Sequence, residues 1–304
     1  METAPQTGLA RVLARPEIVD VQQLAAAWYD QTFTLRLEGA GQGVSADIGG
    51  HLRRSFLGAL GRGASPEAQA SRPCNWEPPC ALDVFRREQL RGPKGDGLPK
   101  PYLIRAWRRG RDLCVMLRVV GMANDWSMAA VEALTLGIRE ILPWGRCVRG
   151  MSAPPVVAGR SLEIHEIAPE AVPKRVALRF LSPVDASGAP VPECPHSLLT
   201  RLIRRADAMS RWNGVALSHE TGRDLARHAA GLDYDLTGLR LGHYQSPNRH
   251  GQLRRDPALF GRIVIGGDLA PLWPILQIGA RCHVGRHAVE GLGAYRLDPV
   301  PGSG

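Results

Sequence analysis

Alternation of apolar and polar side chains first becomes regular at residues 31–39, where Phe33, Leu35 and Leu37 recur at every second position and predict a half-buried strand. Residues 50–61 then change period. Leu52, Phe56, Leu57 and Leu60 fall on one face of a predicted helix, and His51, Arg54 and Arg62 fall on another. Strands are predicted over 81–85 and 98–107, on either side of the basic loop 86–97. The nearly continuous apolar run 112–121 predicts a fully buried strand. Residues 127–142 predict an amphipathic helix capped by Ser127 and ended by Pro143, and 160–167 predict a further strand.

The second half repeats this order. A strand over 176–182 is followed by a helix over 196–212 with Leu198, Leu199, Leu202, Ile203, Ala206 and Met209 on its apolar face. Strands over 238–246 and 259–268 flank the basic loop 247–257. A helix over 269–278, a glycine-containing turn and a strand over 294–300 complete the chain. Both halves spell β-α-β-β-α-β, so the predicted fold class is α+β with two tandem ferredoxin-like domains. The predicted boundaries are an N-terminal extension over 1–30, which holds a short helical stretch at 21–29, then domains over 31–170 and 171–304.

A chain of 304 residues with 44% hydrophobic and 22% charged residues has the composition of a soluble globular protein of two domains. No apolar run approaches the roughly 18 residues of a membrane span. The N-terminus has no cationic start followed by an apolar core, which makes the cytoplasm the expected compartment. The formal net charge is +9, and only Lys94, Lys100 and Lys174 among the 38 cations are lysines. Guanidinium groups suit bidentate phosphate contacts and stacking on bases, which favours a polyanionic partner. A GC-rich genome raises arginine over lysine as well. Of the six cysteines only Cys74 and Cys80 are close, at a spacing unlike a zinc knuckle, so no metal, cofactor or disulfide is expected.

Three basic regions stand out. The turn after the last helix contains Gly285, Arg286, His287, Gly291 and Gly293. It reads either as a tight helix-to-strand connection or as a set of free amides facing an anion. Arg201, Arg204, Arg205 and Arg211 occupy the polar circumference of the 196–212 helix, with Asp207 the acidic residue among them, and read as a solvated face or a duplex-contacting one. Arg249, His250, Arg254 and Arg255 make the loop 247–257 basic.

The tail GRIVIGGDLAPLWPILQIGARCHVGRHAVEGLGAYRL resembles the C-terminal signature of the CRISPR-associated repeat-processing endoribonucleases of the RAMP superfamily, in which a strand, a helix and an hxGxxxxxGxGxY turn follow in order. GGHLRRSFLGAL, LPKPYLIRAW with CVMLRVVGMANDW, and VALRFLSPVDASGAPVP are similar to further segments of that family. The resemblance implies two ferredoxin-like domains that bind the repeat of a precursor CRISPR RNA, cut it once without metal, and stay on the product stem-loop. The implied chemistry is in-line attack of a ribose 2′-hydroxyl, leaving a 2′,3′-cyclic phosphate and a 5′-hydroxyl. The alternative implied is a non-catalytic RAMP subunit that binds guide RNA beside other CRISPR effector subunits.

His51 lies where relatives commonly place a catalytic histidine, and Arg54 one turn on is the implied partner for transition-state charge. Arg53 and Arg62 are expected on flanking backbone. His287 and Tyr29 are the weaker candidates for the general acid. Gly285, Arg286, His287, Gly291 and Gly293 are expected to meet RNA, as are Arg201, Arg204, Arg205, Arg211, Arg249 and Arg254.

Overall fold

The computed structural model describes residues 8–90, 97–186, 193–247 and 253–300. The chain divides into two units: Met1–Glu17, Tyr29–His165 and Arg211–Gly214 form one, and Ile18–Trp28, Glu166–Ser210 and Val215–Gly304 form the other. The stretch 1–30 is therefore shared between the units, with 18–28 in the second.

In the first unit β1 (Tyr29–Leu37), α1 (Ile48–Gly61), β2 (Tyr102–Arg109), β3 (Asp112–Val120), α2 (Ser127–Leu136) and β4 (Val157–Glu166) follow in order. The strands lie side by side as β2-β3-β1-β4. The second unit runs β5 (Arg175–Phe180), α3 (His196–Ser210), β6 (Leu239–Pro247), β7 (Leu253–Gly266), α4 (Trp273–Cys282) and β8 (Tyr295–Pro299). Its order, β6-β7-β5-β8, is the same second-third-first-fourth arrangement. Each unit is a ferredoxin-like β-α-β-β-α-β module, as the hydrophobic pattern predicts.

Strand β3 is the axis of the first unit. It pairs antiparallel with β1 on one side and β2 on the other, and every residue after Asp112 is buried. That placement requires the unbroken apolar run, since both faces of the strand are covered. The charged exception is Arg118, whose Nε lies 3.4 Å from the fully buried carboxylate of Asp30 and donates to Thr32 Oγ1 at 3.0 Å. Against the sheet, Phe56 of α1 meets Tyr102 at 5.2 Å and Phe85 at 5.8 Å between ring centroids. All three rings are fully buried, so α1 is held by apolar area and edge-to-face geometry together.

Several local expectations change. Residues 81–85 are helical, within Ala81–Arg86, rather than extended. An apolar run this short fits either period, and the helix is settled by Asp83, whose buried carboxylate receives the Cys74 amide at 3.0 Å and Arg87 Nε at 2.6 Å. Ser127 is the first residue of α2 and not its cap, because a 3-10 turn, Gly121–Trp126, leads straight into the helix. After Leu136 the helix widens into a π-turn, Gly137–Ile141, where Gly137 lies so close to α1 that a Cβ there would sit 2.8 Å from the Ser55 carbonyl oxygen. Helix α4 starts at Trp273, later than the predicted 269, with Pro274 in its first turn, where a missing amide costs nothing. Strand β7 begins at Leu253, so the ladder with β6 runs through most of the predicted loop 247–257, from Leu239↔Gly261 to Pro247↔Leu253. A helix over His219–Ala230, unread in the sequence, is capped by the Ser218 hydroxyl, which accepts the Thr221 amide at 3.0 Å.

Emptying the aromatic wedge is expected to loosen the first unit as a whole. Phe56→Ala should lower the unfolding free energy by about 3–5 kcal/mol, read as an earlier urea midpoint in circular dichroism.

Candidate active site

Helix α1 presents its site because its two faces separate cleanly: Leu52, Phe56, Ala59 and Leu60 are buried, while His51 and Arg54 stand three residues apart on the flank. Arg54 Nη2 lies 3.0 Å from His51 Nδ1, and Asp47 Oδ2 lies 3.1 Å from His51 Nε2. A guanidinium can only donate and a carboxylate can only accept, so Nδ1 carries the lone pair and Nε2 the proton. The imidazole is 17% exposed, which leaves an edge open to a reactant. Burial lowers its pKa below 6.5; the charge and hydrogen bond of Asp47 oppose that shift, while Arg54 and Arg146 reinforce it. Neutral imidazole is therefore the form present at pH 7, the form a general base needs.

Asp47 is the site residue that sequence reading missed. It occupies the N-cap position of α1 yet makes no side-chain cap bond. Its carboxylate turns instead to His51 and to the Ser45 hydroxyl, which donates to Oδ1. The loop that carries it is stitched to a neighbouring segment: Ser45 N donates to Cys147 O at 2.8 Å, Arg149 N donates to Gly43 O at 3.0 Å, and Val44 bridges Val148. Cys147 beneath is buried, and burial pushes its thiol up to about 11, so it is a neutral wall. The i, i+4 spacing from Asp47 to His51 was the available signal.

Of the other predicted residues in this unit, Arg53 Nε donates to the Tyr102 hydroxyl at 3.3 Å, and Arg62 pairs with Glu140 at 2.6 Å on an exposed surface. Tyr29 opens β1 with its hydroxyl accepting from Gln31 at 2.6 Å.

In the second unit the glycine turn is largely self-bonded. Gly291 N donates to Ala288 O at 3.0 Å, Gly293 N to Pro183 O at 2.8 Å, and Val284 N to Gly293 O at 3.0 Å. The amides expected at Gly291 and Gly293 to meet phosphate are thus consumed, because the turn must satisfy its own buried backbone. Among the described residues no partner is found for the amides of Gly285, Arg286 or His287. Gly285 and His287 both have positive φ, 85° and 58°, on either side of the exposed Arg286, backbone of the kind that can turn successive amides toward an anion. His287 Nδ1 lies 3.3 Å from Glu290; that hydrogen bond raises its pKa against the effect of burial, and the charges of Glu290 and Asp185 add to the rise.

The four arginines near α3 do not share one face. Arg204 is exposed and Arg201 half-buried. Arg205 reaches inward, its Nε donating to the Cys282 carbonyl at 2.8 Å and so capping the end of α4. Arg211 follows α3, groups with the first unit, and donates to Leu13 O at 3.4 Å. Asp207 accepts the Leu217 amide at 2.7 Å. Arg249 lies outside the described residues, as does His250. Arg254 stands opposite Ser246 in the β6–β7 ladder, and Arg255 is exposed. Cys74 and Cys80 are buried, with the Cys74 sulfur accepting the Cys80 amide at 3.3 Å to shape a turn.

Residues 178–295 match the family model of the CRISPR-associated endoribonuclease Cas6. The match covers the second module from β5 to the start of β8 and includes the glycine turn, so it falls on the motif that carried the RAMP resemblance. Two solved Cas6 structures are similar in fold over most of the chain. A Cas6 product complex aligns with a TM-score of 0.52 and 19% identity over 89% of this chain and 99% of that one. Thermus thermophilus Cas6 aligns with a TM-score of 0.50 and 15% identity over 90% of this chain and 100% of that one. No curated protein matches the chain. Among the described residues no helix is long and apolar enough to cross a membrane.

The turn offers its own test. A Cβ on Gly293, at φ 70°, would sit 1.7 Å from the Val284 carbonyl oxygen, so Gly293→Ala must open the Val284–Gly293 pairing. The expected outcome is loss of at least about 2 kcal/mol of stability, with amide exchange at Val284 faster than in the parent protein.

Proposed function

We propose that the chain is a Cas6-type endoribonuclease that cuts precursor CRISPR RNA within the repeat and retains the product stem-loop, acting in the cytoplasm. The first half, 31–170, carries the chemistry, and the second, 171–304, grips the RNA. The observation that supports catalysis most directly is the imidazole of His51 held between Asp47 at Nε2 and Arg54 at Nδ1.

In this mechanism the ribose 2′-hydroxyl loses its proton to His51 Nδ1 as its oxygen forms a bond to the adjacent phosphorus. The phosphorus–5′-oxygen bond breaks, and the leaving oxygen takes a proton from a general acid. Arg54 occupies Nδ1 in the free protein and must move. A phosphate accepts a charge-assisted, bidentate contact from a guanidinium and is the stronger partner, so substrate binding itself frees the base and places a cation on the developing phosphorane charge. Because the nucleophile belongs to the RNA, the protein needs alignment, proton transfer and cations, and no metal. Arg53 and Arg62 hold flanking backbone. Gly285, Arg286 and His287 receive a phosphate at the turn with Gly291 and Gly293 shaping it, and Arg201 and Arg204, with Arg249 and Arg254, contact the stem through its phosphates.

The test is single-turnover cleavage of a stem-loop repeat RNA in EDTA. The parent protein should give one cut, with a rate that rises through a pKa below 6.5, and His51→Ala should lose about 100-fold or more. Tight, salt-sensitive binding without product under every condition would place the chain with the non-catalytic RAMP subunits instead.

A further inference from the structure

We infer that Asp47 is a positioning residue for the cleavage reaction, holding His51 as the Nε2–H tautomer so that Nδ1 is the nitrogen offered to the reacting hydroxyl. The inference rests on the reading of His51 as the base. Three observations carry it. An aspartate before a helix ordinarily spends its carboxylate on the amides of the first turn; Asp47 does not, and its Oδ2 lies 3.1 Å from Nε2 instead. The carboxylate is itself fixed, through Oδ1 by the Ser45 hydroxyl, and through its backbone by the pairing of residues 43–45 with 147–149. It is also largely withdrawn from water, at 13% side-chain exposure, where a charge needs a partner and a partner is strongly held.

The consequence is a division of labour around one ring. Nε2 is committed to Asp47 and keeps its proton throughout. When Nδ1 takes the 2′-hydroxyl proton the ring becomes a cation, and the Asp47 carboxylate stabilises that cation at the moment it forms. Arg54 and Arg146 act in the opposite sense on the same ring, and the Cys147 thiol facing Asp47 and Arg54 stays neutral. Without Asp47 only Arg54 biases the tautomer, and once phosphate draws Arg54 away the imidazole is free to turn over, or to carry its proton on Nδ1, where it cannot accept another.

Asp47→Asn keeps the size and helix-start preference of the side chain while removing the carboxylate. Single-turnover cleavage should fall by at least about tenfold, with the rising limb of the pH profile moving to lower pH because the group that favours the charged ring is gone. Nitrogen-15 spectra of the histidine ring, taken in the complex with a 2′-deoxy repeat RNA whose phosphate holds Arg54, should show Nε2–H in the parent protein and a mixture of tautomers in Asp47→Asn, whose amide can accept or donate. Asp47→Glu, whose carboxylate can only accept, should restore Nε2–H. An unchanged tautomer in Asp47→Asn overturns the inference, as does a changed tautomer with an unchanged cleavage rate. Should His51→Ala cleave at the parent rate, the base assignment falls, while the ring spectra still report whether Asp47 holds the imidazole.

Discussion

Both nitrogens of one imidazole are engaged from opposite sides, by a carboxylate that can only accept and a guanidinium that can only donate. That pair of contacts sets the tautomer and orientation of His51, while burial, reinforced by Arg54 and opposed by Asp47, lowers its pKa. Each depends on structure further away. The ring can be gripped this way only because α1 is wedged against the sheet by Phe56, Phe85 and Tyr102, and because residues 43–45, just before Asp47, are stitched to 147–149. The geometry around His51 is thus a property of how the first module packs.

The second module solves a different problem with the same β-α-β-β-α-β frame. Its glycine turn satisfies most of its own amides, and what remains open is a short run, Gly285 to His287, centred on an exposed arginine. The first module offers an imidazole held between a carboxylate and a guanidinium. The second offers backbone donors and arginines at its surface. Repetition of one fold has therefore produced two surfaces of different chemistry, in keeping with the principle that function resides in sites carried by folds.

The hydrophobic period was enough to read both modules: the faces of α1 and α3, the alternation of β1 and the unbroken run of β3 all lie where burial requires them. Short elements were less legible. Residues 81–85 fit either period, and their helical form depends on the long-range use of Asp83. The site was half legible. His51 and Arg54 stand out by type and spacing, whereas Asp47 before a helix reads as an ordinary cap, and only the folded loop shows its carboxylate turned to the ring. Arg205 shows the reverse case. Its sequence context is a basic helix face, yet its guanidinium is spent on a carbonyl at the end of α4, a contact no local pattern encodes.

The central claim is that the RNA supplies the nucleophile while α1 supplies the base. A repeat RNA carrying a single 2′-deoxy ribose on the 5′ side of the scissile phosphate measures this directly. The account predicts that the parent protein binds that RNA as tightly as the unmodified repeat and leaves it intact through many half-lives of normal cleavage. Cleavage of the deoxy linkage at a rate close to that of the natural one would contradict it.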